Sequence, residues 1–385
     1  MTTPTLADPL TLARGPAWAH RLTLAPLTNF QSHDDGTLGD DELHWLRLRA
    51  EGGFAMTMTC AAFVDDGGKG FPGQLGISHD RHLPGLTRLA AALRETGTVS
   101  SVQLQHSGRR AKAEFTGRQP VCAWDDAETG ARALTTAEVE QAVGWFADAA
   151  VRAERAGFDG VELHGAHGYL LAQFLDAEHN LRSDGWGGTF DGRCRILFEI
   201  AGAIRSRTQP GFQLGLRLSP ERFGIRLADA RELARRVLAD GRFDYLDMSL
   251  WDVFKQPHAD PQAVPPPPPA GAASTGSAGS TPDAEHQVRP LIAHFTDLPR
   301  GATRLGVAGK IMSAATAARC LEAGADFVLI GRAAILHHDF ARRSLADAQF
   351  QSVPRPVTRE YLRAEGVGPA FIHYLKTEWR DFVAD

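Results

Sequence analysis

The chain has 385 residues, of which 43% are hydrophobic and 23% charged, and its formal net charge is −5 at pH 7. This composition is typical of a globular protein with a large core and argues against a disordered or membrane-embedded chain. Lysines and arginines are scattered, so no surface for nucleic acid or anionic lipid is predicted. Since neither a signal-peptide run nor a stretch of about 18 uncharged apolar residues occurs, we expect a cytoplasmic protein with small-molecule partners.

Short apolar runs rich in Val, Ile and Leu alternate with helical patterns along the chain. Strand–helix–strand alternation requires a parallel sheet with right-handed crossovers, and the pattern predicts one (β/α)8 TIM barrel. A doubly wound open sheet is the alternative, although no GxGxxG follows the first strand. The predicted strands are residues 22–25, 55–59, 101–105, 160–164, 213–217, 245–249, 304–307 and 327–330.

The helical patterns between the strands have clear ends. Thr135 and Glu138 have the spacing of a capping box, and Gly157 is expected to end the helix that follows. Two later helices are expected to stop at Gly241 and Gly324. The nearly even spacing of these three glycines favours an evenly wound barrel.

Two segments depart from the barrel pattern. Residues 256–286 contain five consecutive prolines and a Gly/Ala/Ser tract, which predicts a flexible insertion after the sixth strand. It would lie at the C-terminal face of the barrel, either as a lid or as an inert insertion. We therefore predict a barrel domain at 1–355 and a helical tail at 356–385. Four aromatic residues would anchor the tail outside the barrel, where it is a candidate contact of a homo-oligomer: Tyr361, Phe371, Tyr374 and Trp379.

Polar residues that could carry chemistry follow the predicted strands, where the active sites of barrels lie. In VELHGAHGYLLAQF, His164 and His167 can both donate to one oxygen, and the Tyr169 phenol can give up a proton. A packed or solvated corner is the alternative interpretation, and a metal site is a third. Because HxxH supplies only two ligands and the cysteines lie more than 60 residues apart, we expect no metal site and four buried free thiols.

Two further strand ends predict contacts to a polar heterocycle. Gln103, in QLQHSGRR, can bond a ring edge that offers both a donor and an acceptor. Arg217, in LGLRLSP, needs an anionic partner, which is either a cofactor edge or a barrel carboxylate.

The last two strands are each followed by glycine. Backbone N–H groups at Gly309 and Gly331 can cradle a phosphate, and Lys310 and Arg332 add positive charge. This is the phosphate site expected after strands 7 and 8 of a barrel.

With these residues in place, the chain resembles the Old Yellow Enzyme family of FMN-dependent NAD(P)H:flavin oxidoreductases and ene-reductases. The resemblance runs from about residue 22 to residue 337, and the third and fourth motifs are together highly specific. The motifs are LAPLTNF at 24–30, QLQHSGR at 103–109, GFDGVELHGAHGYLLAQFL at 157–175, NLRSDGWGGTFDGR at 180–193 and GADFVLIGR at 324–332.

The resemblance implies non-covalent FMN, NADPH or NADH as the reductant, and an electron-poor alkene as the substrate. His164 and His167 would grip a carbonyl or nitro oxygen, and Tyr169 would donate the proton. Phe30 lies in the substrate pocket, where some branches carry a tyrosine, and Thr28 stands where some carry a redox-tuning cysteine. The implied cofactor contacts are Pro26, Thr28, Thr59 or its neighbour Cys60, Gln103, Arg217, Ser249, Gly309, Lys310, Gly331 and Arg332.

Other functions stay open on the sequence. A flavin-dependent dehydrogenase or oxidase of an unknown natural substrate would use the same cofactor. A metal-dependent barrel hydrolase using His164 and His167 is the candidate from another class, and a catalytically inactive flavin-binding protein is the third. Larger family members continue into iron–sulfur and second nucleotide-binding domains, and we expect this chain to fall outside that subgroup.

Overall fold

The structure is a computed structural model and describes residues 3–258 and 289–384. Eight parallel strands close into a barrel in chain order, with the last strand pairing to the first. This confirms the (β/α)8 barrel and overturns the open-sheet alternative. The strands are β1 Leu22–Leu24, β2 Met56–Phe63, β3 Val99–Gln105, β4 Gly160–Gly165, β5 Gln213–Leu218, β6 Tyr245–Ser249, β7 Arg304–Ala308 and β8 Phe327–Ile330.

Helices cover the barrel and connect its strands. They are α1 Asp40–Glu51, α2 Leu83–Arg94, α3 Ala113–Thr116, α4 Thr136–Ala156, α5 Leu170–Leu175, α6 Phe190–Arg207, α7 Leu227–Asp240, α8 Ala293–Thr296, α9 Ala314–Glu322, α10 Arg332–Leu336, α11 Phe340–Ala346, α12 Arg359–Ala364 and α13 Pro369–Glu378. Short 3₁₀ helices lie at Asp66–Gly68, Asp80–His82 and Gly108–Arg110, and Val121–Cys122 pairs with Arg132–Ala133 outside the barrel. None of these helices is long and apolar enough to cross a membrane, among the residues described.

The predicted helix signals have the expected structural roles. Thr135 caps α4 by accepting from the Glu138 N–H, and the Glu138 side chain accepts from the Thr135 backbone in return. Gly157 and Gly241 directly follow α4 and α7, and Gly324 lies two residues beyond α9. Local sequence therefore sets where these helices begin and end.

Strand β2 is longer than predicted. It runs on to Phe63, and its pairing with β3 shifts register between Met58 and Ala61. Every residue of β2 is buried, so no alternation in the sequence marks the shift. The C-terminal end of this strand therefore lies four residues later than the sequence indicated.

An aromatic plug fills the N-terminal end of the barrel. Trp18 is fully buried, packs edge-on against Tyr245 and Phe327 at 5.4 and 4.8 Å, and donates its indole N–H to Gln213 at 3.2 Å. Such packing excludes water below the interior layers. The barrel interior is therefore closed at its N-terminal end.

The tail folds back over the C-terminal end of the barrel, which corrects part of the prediction. Tyr361 donates to the Leu336 carbonyl and Phe371 packs against α1, outside the barrel as expected. Tyr374, however, lies 4.7 Å from the Phe30 ring, and the Trp379 ring lies 5.5 Å from the Arg332 guanidinium. Aromatic contact with these two residues holds the tail over the strand ends. The domain boundary at 355 stays a prediction, and most of the 256–286 insertion lies outside the described residues.

Candidate active site

Adjoining cavities open at the C-terminal ends of the strands. The largest is about 800 Å³ and extends from His167 and Tyr169 to Gly309 and Arg332. A smaller one of about 160 Å³ continues from it inward to Gln103 and His164. A groove of about 720 Å³ meets both at Tyr169 and Tyr374. The structure thus brings together residues from strands far apart in sequence.

The two histidines and the tyrosine form one cluster at the end of β4. The His164 ring lies 5.0 Å from the ring of His167 and 5.0 Å from that of Tyr169. Burial, with the nearby positive charges of Arg217 and Arg110, lowers the pKa of His167 to about 3. Burial, then the neighbouring His167 and the same two arginines, lower the pKa of His164. Both imidazoles are therefore neutral near pH 7, and each has one N–H to donate.

A hydrogen-bonded chain links this cluster to Arg217. The Ser249 hydroxyl lies 2.8 Å from His167 Nε2 and accepts from the Arg217 guanidinium at 3.3 Å. Because the guanidinium can only donate, the Ser249 proton is free to be donated to His167 Nε2. That arrangement leaves the proton of His167 on Nδ1. His164 Nδ1 is buried and has no partner within the described residues.

The inner cavity presents a polar floor. Gln103 and Arg217 both line it and are 2% and 6% exposed. Gln103 donates to Glu162 at 2.8 Å, which leaves the amide oxygen as the group free to accept. Arg217 lies 3.2 Å from an Asp247 carboxylate oxygen. The sequence left two partners open for Arg217, a cofactor edge or a barrel carboxylate. The structure shows the carboxylate of Asp247, and the side of Arg217 that lines the inner cavity is still available to a cofactor.

The far end of the large cavity is suited to a phosphate. Gly309 and Lys310 both have positive φ angles, 152° and 50°. Arg332 and Arg355 lie close enough that burial, and then the Arg355 charge, lower the pKa of Arg332. No carboxylate pairs with either arginine in residues 3–258 and 289–384. Two adjacent guanidiniums without an acid partner fit a dianion.

Thr59 and Cys60 do not reach the cavity. The Thr59 hydroxyl donates to the Cys60 carbonyl at 2.7 Å and lies 3.3 Å from the Gln103 N–H, fully buried in the wall. Cys60 points toward the buried Glu42, whose carboxyl raises the pKa of the thiol in addition to burial. The register shift in β2 instead places Ala61 at the cavity. Neither Thr59 nor Cys60 lines the inner cavity, whereas Ala61 does.

The other predicted residues line these cavities. Pro26, Thr28, His164 and Tyr169 face the inner cavity, and Phe30 faces the groove. Ser249, Gly309, Lys310, Gly331 and Arg332 line the large cavity.

Sequence reasoning missed three groups of the site. Tyr374 and Trp379 line both the large and the inner cavity, although they were expected outside the barrel. The Arg110 guanidinium lies 4.7 Å from the centre of the Tyr169 ring and donates to the His167 carbonyl at 2.6 Å. The adjacent arginines of QLQHSGRR were a signal for Arg110. The tail aromatics carried no signal, because nothing local shows that a tail returns.

Fold and site together define a class: a (β/α)8 barrel with a dianion cradle at one end of its cavity and an imidazole pair with a phenol at the other. The fit of FMN rests on this chain's own groups, namely the unpartnered His164 nitrogen, the open side of Gln103 and Arg217, and the cradle at Gly309. A planar ring and a phosphate on one ligand match these features.

Comparison with known proteins agrees. Residues 5–252 match the model of the NADH:flavin oxidoreductase / NADH oxidase family. The chain belongs to this family, the Old Yellow Enzymes, whose cofactor is FMN and whose reductant is NADH or NADPH.

Two curated relatives show the extent of the match. The probable NADH-dependent flavin oxidoreductase YqiG of Bacillus subtilis is 38% identical over 259 residues, 64% of this chain and 69% of that protein. The NADH:fumarate oxidoreductase of Klebsiella pneumoniae is 32% identical over 370 residues, 93% of this chain. The chain spans only 38% of that second relative.

Two solved structures share the fold. The old yellow enzyme homologue from Zymomonas mobilis has a TM-score of 0.74 and 24% identity, covering 93% of this chain and 96% of that one. Morphinone reductase in complex with tetrahydroNAD has a TM-score of 0.73 and 23% identity, covering 99% and 98%.

Proposed function

We propose that the chain is an NAD(P)H-dependent ene-reductase acting on alkenes conjugated to a carbonyl or nitro group. The observation that carries the proposal is the His164, His167 and Tyr169 cluster on the same cavity as Gln103 and Arg217. Fumarate, acrylate and 12-oxophytodienoate appear in the names of relatives, and each contains an alkene conjugated to a carbonyl group.

The chain's residues divide the chemistry among them. FMN, when bound, supplies the hydride. Neutral His164 and His167 donate hydrogen bonds to the substrate oxygen, which draws electron density from the conjugated double bond. Tyr169 delivers a proton to the α carbon and acts as the general acid. Gln103 and Arg217 orient the polar ring edge, while the cradle at Gly309 holds the phosphate.

The proposed cofactor contacts are those that line the cavities. They are Pro26, Thr28, Gln103, Arg217, Ser249, Gly309, Lys310, Gly331 and Arg332, with Ala61 in place of Thr59. Phe30 is proposed to contact substrate from the groove side, where its ring lies between the tilted rings of Phe71 and Tyr374 at 4.6 and 4.7 Å.

The metal-hydrolase alternative has little support. Among the described residues, no group of three or more His, Cys, Asp or Glu is arranged to hold a metal ion. Both histidines instead face an arginine and a phenol, which suits an oxyanion and a proton transfer.

The test is the visible absorption spectrum of the purified protein under anaerobic conditions. We expect flavin bands that bleach with NADH or NADPH and return on addition of 2-cyclohexenone. A variant with His164 and His167 both replaced by alanine should still bleach but return far more slowly. Bleaching without any return in the wild-type protein, across carbonyl and nitro alkenes, would contradict ene-reduction while leaving the flavin class intact.

The homo-oligomer stays a prediction. All four tail anchors, Tyr361, Phe371, Tyr374 and Trp379, make contacts within the chain, which weakens the case for the tail as a subunit contact. Size-exclusion chromatography with light scattering would determine the number of subunits.

A further inference from the structure

A layer of charged and polar side chains is buried inside the barrel, directly beneath the inner cavity. Gln103, Glu162, Arg217 and Asp247 come from four consecutive strands, β3 to β6. Glu162 and Asp247 are fully buried. The aromatic plug at Trp18 and Tyr245 closes the layer from below, so its charges are shielded from water on that side.

Two carboxyls share this layer with one guanidinium. The groups facing Glu162 are Gln103 on β3, Arg217 on β5, and Asp247 and Tyr245 on β6. Gly215 of β5 pairs with Glu162, and the Tyr245 ring of β6 occupies the space that a side chain at Gly215 would fill. With both carboxyls ionised the layer would carry a net negative charge, which burial makes costly.

The hydrogen bonds of the layer are incomplete in a specific way. Glu162 Oε2 and both Asp247 carboxylate oxygens are buried and accept no hydrogen bond within the described residues. Arg217 Nε lies 3.2 Å from Asp247 Oδ2 but is not aligned to donate to it. A proton on one carboxyl lowers the charge of this closed space and turns one of these acceptors into a donor.

Burial raises the pKa of both carboxyls. For Glu162 the Asp247 charge adds to that rise, while Arg217 opposes it. For Asp247 only Arg217 acts in the opposite direction. The two carboxyls are therefore expected to hold one proton between them, and Glu162 is the more easily protonated of the two.

We propose that Glu162 and Asp247 form a carboxyl pair that holds one proton and positions Gln103 and Arg217, and that the pair takes up a further proton from water when the cofactor is reduced. This second part rests on the proposed function. Hydride from the nicotinamide brings one proton and two electrons into the site, so the net charge falls by one. A proton that binds to the carboxyl pair restores the original net charge. This proton returns to water when the hydride is transferred to the alkene. Glu162 and Asp247 are positioning residues, because neither lines the cavity.

The first test uses protein stripped of FMN and therefore does not depend on the reaction. Infrared difference spectroscopy at neutral pH should show the carbonyl band of a buried carboxylic acid in the wild-type protein. The band should lose its Glu162 component in Glu162→Gln, while any component from Glu42, whose pKa burial also raises, should remain. The Glu162 component should titrate at lower pH in Asp247→Asn, which removes the charge that favours protonation of Glu162. Glu140→Gln, an exposed position on α4, is the matched control and should leave the band unchanged. A wild-type spectrum identical to that of Glu162→Gln in this region would overturn the proton held by the pair.

The second test measures the midpoint potential of bound FMN between about pH 5 and pH 9. One extra proton taken up with two electrons changes the reduction equilibrium tenfold per pH unit, which is about 30 mV. The wild-type slope should exceed that of Glu162→Gln by up to this amount, and Glu140→Gln should follow the wild type. Equal slopes in wild type and Glu162→Gln, with FMN bound in both, would refute coupling.

Failures of the two proposals can be separated. Asp247→Asn provides a second slope if Glu162→Gln does not fold, as judged by circular dichroism. A chain that binds no FMN, or whose FMN the nicotinamide does not reduce, contradicts the proposed function. The infrared measurement on the stripped protein would still decide whether the carboxyls share a proton.

Discussion

Replacing Gly309 by alanine places one methyl group at the proposed phosphate cradle. Gly309 has a φ of 152°, and an added Cβ would lie 2.9 Å from both Asp252 N and Trp251 C. These are backbone atoms, which cannot rotate away. Backbone strain in such a region costs about 1–3 kcal/mol. Because the proposed phosphate site uses the loop in this conformation, we expect FMN affinity to fall by about 5- to 150-fold.

The assay is a fluorescence titration of the stripped protein with FMN and, separately, with riboflavin, which lacks the phosphate. Gly144→Ala, on α4, is the control, because an added Cβ there would meet no atom of the described residues within 4 Å and the position lines none of the three cavities. The loss in Gly309→Ala should be large for FMN and smaller for riboflavin. An equal loss for both ligands, or none for either, would refute the assignment of this loop to the phosphate.

Three further predictions concern the reacting groups and the barrel floor. Tyr169→Phe should slow reoxidation by an enone about 10²- to 10⁴-fold while reduction by NADPH is unchanged, measured by stopped flow; equal slowing of both half-reactions would argue against a proton donor. Because the pKa of His167 is lowered to about 3, enone binding should show no histidine inflection as pH falls from about 8 to about 5; an inflection near the ordinary histidine value would show that the imidazole titrates. Trp18→Ala should lower the free energy of unfolding by about 3–5 kcal/mol, and Trp18→Phe by less, measured by urea denaturation; a smaller loss in the alanine variant than in the phenylalanine variant would contradict the plug.

Much of the site was predictable because parallel strands all end on the same face of a barrel. A histidine after the fourth strand, an arginine at the end of the fifth and a glycine after the seventh must therefore meet, whatever their separation in sequence. His164, Arg217 and Gly309 illustrate this, and all three line the cavities. The order of the strands alone therefore predicts that these three residues lie at the same end of the barrel.

The position of side chains within a buried strand could not be predicted in the same way. Both faces of a parallel barrel strand are covered, so β2 shows no alternation, and its register shift moves Ala61 to the cavity where Thr59 was expected. Glu162 was hidden for a related reason. It stands between the apolar residues Val161 and Leu163 of β4, and only its interior neighbours Gln103 and Asp247 reveal what it can do.

The sequence by itself determined the strand–helix alternation, the helix ends, and the family motifs that carry His164, His167 and Tyr169. These depend on local periodicity and on short spacings, which the chain shows directly. Only the tertiary structure decided that Tyr374 and Trp379 return over the strand ends, and that two carboxyls lie beside one arginine inside the barrel. Such contacts join residues on different elements of the barrel and its tail, and their energies depend on burial and distance, which no local pattern contains.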